Sequence, residues 1–176
     1  MKPLSSGEDH IRFGEVFAPH LADAFRLARW LTGDRADAED VVQDAALRAF
    51  KAIAGFAGGN ARAWSLAIVR NAAYSLLSKR RSGALLFADA EGVEAIADSN
   101  AATPESALIA KADAAALELA IDALPLPFRE VLVLRDLQGM SYRDIAEVTG
   151  NPAGTIMSRL SRARRMLLAR LSSEDR

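Results

Sequence analysis

Apolar positions recur along this chain at the spacing of helices. Phe17, Leu21, Ala24, Ala28 and Leu31 step by four, three, four and three, which places them on one helical stripe. Thr32-Gly33-Asp34 breaks that pattern, and a second helix is predicted to start near Asp37. Its buried side is read as Val42, Ala45, Ala46, Ala49 and Ile53, with Val41 and Phe50 at the edges. The glycine-containing stretch from Gly55 to Asn60 reads as a loop. A third helix is expected from about Ala61 to Lys79, with Trp64, Ile68 and Leu76 in its core.

Residues 83–106 are rich in alanine and acid and are punctuated by Gly83, Gly92 and Thr103-Pro104. A structureless stretch of that length is unusual inside a compact domain, so it reads as a flexible linker. Helical periodicity resumes over Ala107 to Leu124, with Leu117, Ile121 and Leu124 in register. Pro125 and Pro127 are read as closing that helix, and a further helix is expected over Phe128 to Leu137. No strand-like alternation and no internal repeat is seen. The predicted fold is all-α: a small helical domain at 10–82, an acidic linker at 83–106 and a second helical domain at 107–172.

The most informative stretch is Met140 to Arg170. Ser141 is a good N-cap for a short helix, Tyr142 to Val148, with Ile145 and Ala146 pointing inward. Thr149-Gly150-Asn151-Pro152 forms a tight turn, and Pro152 can open the next helix. Two helices joined by so short a turn fit a helix-turn-helix. At about 100° per residue, Ile156, Leu160, Ala163 and Leu167 fall within roughly 60° of arc. Thr155, Ser158, Arg159, Arg162 and Arg165 share a different arc of roughly 120°. One side buries itself; the other presents hydroxyls and guanidinium forks, which suit phosphate oxygens and the guanine edge in a major groove.

Composition bounds the function. The 176 residues carry a net charge of −1, which alone argues against a nucleic-acid binder. The charge is segregated, however. Residues 34–44 are acidic; residues 60–82 carry Arg62, Arg70, Lys79, Arg80 and Arg81 without an acid. Residues 83–106 are acidic again, and residues 151–171 are purely basic through Arg159, Arg162, Arg164, Arg165 and Arg170. Blocks of one sign suggest two cationic surfaces separated by an anionic connector. The absence of cysteine excludes disulfides and thiolate metal sites. No apolar run approaches the roughly 20 residues of a membrane span, so no membrane insertion is expected. Met1 to His10 lacks an apolar signal core, which points to a cytoplasmic address. His10 and His20 are isolated, no paired-carboxylate pocket is evident, and no glycine-rich phosphate loop follows a strand. No enzyme, catalytic residue, metal or cofactor is therefore expected.

The string from Ser141 to Glu147, followed by Gly154 to Arg164, resembles the C-terminal DNA-binding domain of the extracytoplasmic-function (ECF, group 4) subgroup of the sigma-70 family. Gly33-Asp34 with Asp37 to Asp44 resembles that family's polymerase-binding helix. Arg62-Ala63-Trp64 with Arg70-Asn71 resembles its promoter-melting helix. The resemblance covers nearly the whole chain, in the family's order.

It implies an alternative sigma factor whose partners are core RNA polymerase, promoter DNA and an anti-sigma factor. By the same resemblance, Asp40, Gln43, Asp44 and Leu47 bind the polymerase. Asn60, Arg62, Arg70, Asn71 and Tyr74 meet the opened minus-10 element. Tyr142, Thr155, Met157, Ser158, Arg159, Ser161, Arg162 and Arg165 meet the minus-35 element, with Ser158 and Arg162 nearest base edges. Helix-end charge compensation accounts for Asp37 and Glu39. Trp64 reads as core ahead of a base-stacking platform. Two departures stand out: Ser75 where relatives often carry Asp, and Met157 where they often carry Lys or Arg. An apolar Met157 either touches a thymine methyl or faces away. Competing readings are a sigma mimic that captures an anti-sigma factor without reading DNA, a dimeric helix-turn-helix repressor, and an enzyme. The arginines of the last helix favour DNA reading over the mimic, and a repressor leaves the N-terminal half unexplained.

Overall fold

The computed structural model describes residues 7–85 and 114–174. These residues form two helical units, taken here one at a time. Among them no strand occurs. The expected linker and the first residues of the second domain lie outside the described residues, apart from positions 83–85.

The N-terminal unit holds α1 (Gly7–Val16), α2 (Leu21–Thr32), α3 (Arg35–Ala52) and α4 (Ala61–Leu85), with single 3-10 turns at Ala18–His20 and Ile53–Gly55. Helices α2, α3 and α4 pack against one another, and α1 lies across α3. Phe13 meets Phe17 and Phe50 at centroid distances of 5.3 and 5.5 Å, and His10 meets Phe50 at 4.9 Å.

Local chemistry sets the boundaries of these helices. Gly33 adopts a φ of +76° and donates its N–H to Arg29 O at 3.0 Å, a left-handed C-cap that glycine reaches without steric cost. Asp34 then caps α3, its carboxylate accepting from the Asp37 N–H at 3.0 Å. The helix therefore starts before the position the acidic cluster suggested. Helix α4 also runs past Lys79 to Leu85. Arg80 explains part of that extension, because it is tied back to α3 by Asp37.

The core of this unit is rich in alanine, and it departs from the sequence reading. In α2, Leu21 is 43% exposed while the unforeseen Leu27 is fully buried. In α3 the buried line is Ala38, Val41, Ala45, Ala49 and Ile53, so Val41 sits at the centre while Val42, Ala46 and Phe50 form the flanks. In α4 the buried apolar residues are Ala63, Leu66, Val69, Ala72 and Ala73; Trp64, Ile68 and Leu76 are only half-buried. Small side chains let α4 approach two helices at once, and the larger residues are displaced to the rims.

The C-terminal unit holds α5 (Ala114–Asp122), α6 (Leu126–Leu132), α7 (Tyr142–Thr149) and α8 (Ala153–Glu174). Pro125 and Pro127 do not merely end α5. Pro125 O accepts from the Phe128 and Arg129 N–H groups at 3.0 Å, and Pro127 lies in the first turn of α6, where no N–H is needed. The end of the expected 128–137 helix widens into a π turn, Val133–Leu137. Arg129 donates to Asp122 O and to Leu124 O, closing the end of α5. Burial lowers its pKa, with Asp122 opposing. Helix α8 packs on α5 and α6. Ile156, Leu160, Ala163 and Leu167 are all buried, as their spacing predicted, together with Ile121, Leu124, Met140, Ile145 and residues Val131 to Leu134.

Candidate functional site

Helix α7 begins at Ser141, whose hydroxyl accepts from the Asp144 N–H at 3.1 Å. It ends at Gly150, which adopts a φ of +68° and donates to Ala146 O at 2.9 Å. Two residues later Pro152 O accepts from the Ile156 N–H at 3.1 Å, and α8 is under way. This short turn gives the helix-turn-helix its compact form.

With Ile156, Leu160, Ala163 and Leu167 held inside, the opposite face of α8 is fixed. Thr155, Ser158, Arg159, Ser161 and Arg162 are half-buried, Arg165 is exposed, and Met157 is 50% exposed. The Ser158 hydroxyl donates to Thr155 O at 3.2 Å. The Arg162 guanidinium lies 5.9 Å from the Phe128 ring centre. All the α8 residues named from sequence therefore stand at its surface.

Two residues that the sequence reading did not single out shape this unit. Arg135 donates to Met140 O at 2.7 Å and lies 4.7 Å over the Tyr142 ring. Asp136 accepts two hydrogen bonds from Arg164, at 3.0 and 2.6 Å. Both come from the π turn, a feature that linear periodicity does not reveal.

In the N-terminal unit, Asp40, Gln43, Asp44 and Leu47 lie along one side of α3. Asp40 and Gln43 are exposed, Leu47 is 62% exposed, and Asp44 pairs with Arg48 at 2.6 Å. A large exposed leucine thus stands beside three polar side chains on this face. Between α3 and α4 lies an open cavity of about 160 Å³, with Asp40, Asp44 and Arg48 on one wall and Ser75 and Lys79 on the other.

The residues expected to meet opened DNA are spread along α4. Asn60 caps the helix, its side-chain oxygen accepting from the Ala63 N–H at 3.0 Å. Arg62 pairs with Asp23 at 2.8 Å, and Asp23 also faces Arg26 at 3.6 Å. These two have work inside the fold. About 12 Å further along the axis, the Arg70 guanidinium lies 4.2 Å over the Tyr74 ring, with Asn71 exposed beside them. Trp64 packs against Phe56 at 5.0 Å. Among the described residues no cluster of His, Cys, Asp or Glu is suited to a metal, and no helix is long and apolar enough to cross a membrane.

A helix-turn-helix with an arginine-lined outer face, carried with a second helical unit that presents an acidic and apolar strip, defines the class of the DNA-reading transcription factor. Residues 16–83 match the family described as Sigma-70 region 2, and residues 114–167 match Sigma-70, region 4. The chain belongs to the extracytoplasmic-function subgroup of the sigma-70 family.

It is 36% identical over 160 residues to the ECF RNA polymerase sigma factor SigM of Mycobacterium tuberculosis, covering 90% of this chain and 76% of that one. It is 32% identical over 163 residues to the ECF RNA polymerase sigma factor SigE of Mycolicibacterium smegmatis, covering 91% of this chain but only 63% of that longer relative. Among solved structures, the sigma factor RpoE in complex with the anti-sigma factor NepR from Bartonella quintana matches at a TM-score of 0.71 and 31% identity, over 91% of this chain and 96% of that one. CnrH in complex with the cytosolic domain of CnrY matches at a TM-score of 0.64 and 27% identity, over 92% and 88%.

Proposed function

We propose that this chain is an alternative sigma factor that joins core RNA polymerase and directs it to a subset of promoters. In this reading Asp40, Gln43, Asp44 and Leu47 on α3 grip the polymerase. Asn60, Arg62, Arg70, Asn71 and Tyr74 follow the opened minus-10 strand, where a cationic track and a stacking face are what single-stranded DNA needs. Tyr142 and the outer face of α8 read the minus-35 duplex: Ser158 and Arg162 meet base edges, while Thr155, Arg159 and Arg165 hold phosphates and set register. Met157 and Ser161 flank that face. The working domains are 10–82 and 107–172, with 83–106 connecting them. No catalytic step belongs to the chain itself.

The observation that carries this reading is α8, buried along Ile156, Leu160, Ala163 and Leu167 and turned outward along its hydroxyls and arginines. Control by an anti-sigma factor is proposed because the structural relative RpoE is a sigma factor solved in complex with the anti-sigma factor NepR.

Run-off transcription with core polymerase on sheared genomic DNA tests the proposal. Wild type should initiate at discrete sites. Arg162→Ala should alter promoter choice, and Asp44→Ala should weaken assembly of the holoenzyme. Failure of the purified chain to associate with core polymerase in the absence of inhibitors would reject the function. Wild-type behaviour of both variants would reject the residue assignments alone.

A further inference from the structure

Helix α4 carries five cations and no acid, and the fold turns them in different directions. Arg62 pairs with Asp23 at 2.8 Å. Arg80 is held by Asp37 through two guanidinium nitrogens. Lys79 stands on the wall of the cavity that Asp40, Asp44 and Arg48 line from α3. Arg70 lies over the Tyr74 ring at 4.2 Å. Arg81 is exposed, and its guanidinium makes no hydrogen bond or ion pair with another described residue.

The helical positions agree with this sorting. With Arg70 as zero and about 100° per residue, Arg81 falls at roughly 20°, Tyr74 at 40°, Ser78 at 80° and Asn71 at 100°. Val69 and Ala73, at roughly 260° and 300°, mark the buried side. Lys79 at roughly 180° and Arg80 at roughly 280° lie outside the arc that holds Arg70, Tyr74 and Arg81. Along the axis Arg81 stands roughly 16 Å beyond Arg70, about five phosphate steps of one duplex strand. Between and beside them Ser78 and Ser82 are exposed and short, so a strand can come close to the helix there.

We propose that Arg81 binds a backbone phosphate of promoter DNA and extends the strip of Arg70, Asn71 and Tyr74 by about three turns of α4, while Lys79 and Arg80 take no part in it. The proposal rests on α4 being the helix that follows the opened minus-10 strand. A guanidinium fork matches phosphate oxygens, and such a contact adds affinity and register without reading sequence. The phosphate belongs either to the opened strand or to the duplex beside it.

The test measures DNA affinity of holoenzyme, with each variant saturating core polymerase, between about 50 and 200 mM KCl. Two probes come from a promoter mapped with wild type. The short one is a duplex that carries the minus-35 element and stops at the upstream edge of the minus-10 element. The long one adds the opened minus-10 strand. On the long probe Arg81→Gln should flatten the dependence of log K on log salt by about 0.7–0.9, the value for one lost phosphate contact. The affinity lost across that salt range should shrink by about threefold. A flattening on the short probe too places the phosphate in the duplex; one confined to the long probe places it in the opened strand. Arg81→Lys and Lys79→Gln should both keep the wild-type slope, and the unfolding midpoint of Arg81→Gln should match wild type.

A wild-type slope for Arg81→Gln on both probes, beside a flattened one for Arg70→Gln, overturns the proposal and leaves α4 its role. Wild-type slopes for both variants reject α4 as the strand-following helix, and the proposal with it. Equal flattening by Lys79→Gln also overturns it, because the effect would then belong to net charge and not to one face of the helix.

Discussion

The Asp37 carboxylate accepts two hydrogen bonds from the Arg80 guanidinium, each 2.5 Å long, across a separation of 43 residues. Asp37 lies in the first turn of α3 and its side chain is only 12% exposed; Arg80 lies near the end of α4 and is 56% exposed. The hydrogen bond and charge of Asp37 raise the Arg80 pKa, so the guanidinium stays charged at any pH the protein meets. The pair therefore joins the beginning of α3 to the end of α4 and takes Arg80 out of the cationic strip.

Removing either partner should destabilise the N-terminal unit, and the two losses should not add. The expected outcome in urea unfolding is a lower midpoint for Asp37→Asn and for Arg80→Gln, with the double variant close to the worse single one. The emission of Trp30 and Trp64, the only two tryptophans in the chain, reports this unit alone. Amide exchange near Leu85 should quicken in the same variants, because the last turns of α4 lose their tether. Additive losses would show that the two side chains act independently.

What could be read beforehand depended on how many wet faces a helix keeps. Helix α8 has one buried side and one open side, so Ile156, Leu160, Ala163 and Leu167 stood out and all proved buried. Helix α4 is packed by both α2 and α3, and its contacts are made through Ala63, Ala72 and Ala73. Alanine carries almost no periodic signal, so the larger Trp64, Ile68 and Leu76 dominate the pattern although they lie at the rims. The caps at Ser141 and Gly150 are local and were legible. The bridges from Asp23 to Arg62, Asp37 to Arg80 and Asp136 to Arg164 are set by tertiary packing, and a one-dimensional charge pattern counted all three arginines as surface cations.

That alanine-lined contact makes a second prediction. Ala73 is completely buried where α4 meets its neighbours. Ala73→Leu should cost about 1–3 kcal/mol by overpacking, although it adds apolar surface. Ala67→Leu, at a half-buried position on the same helix, should cost markedly less. Urea titrations followed by tryptophan emission compare them directly. Equal effects at the two sites would mean that the helices separate freely to admit the larger side chain.

His20 gives the N-terminal unit a pH dependence. Burial lowers its pKa below 6.5, Arg62 lowers it further, and Asp23 opposes them. The unfolded chain thus binds the proton more readily than the folded one. The associated stability is complete above about 6.5 and is lost as pH falls from there towards the lower folded value. Between pH 7.5 and 5.5 the urea midpoint of wild type should therefore fall more steeply than that of His20→Gln. Parallel profiles for the two proteins would remove His20 as the cause.

Arg135 is expected to hold the helix-turn-helix together from behind. Its hydrogen bond to Met140 O at 2.7 Å pins the residue just before the Ser141 cap, and its guanidinium covers the ring of Tyr142 at 4.7 Å. A charged donor contributes about 1.5–3 kcal/mol and a partly exposed cation–π contact about 0.5–1 kcal/mol, so Arg135→Ala should lose roughly 2–4 kcal/mol from the C-terminal unit. Arg135→Lys keeps a cation but not the planar fork, and it should fall between wild type and alanine. Tyr142→Leu removes the ring alone, and a double-mutant cycle with Arg135→Ala should return a coupling of about 0.5–1 kcal/mol. Hydrogen exchange of the α7 amides reads all of these variants. A coupling of zero would show that the guanidinium and the ring merely lie side by side, and Tyr142 would then owe its orientation to the backbone cap at Ser141.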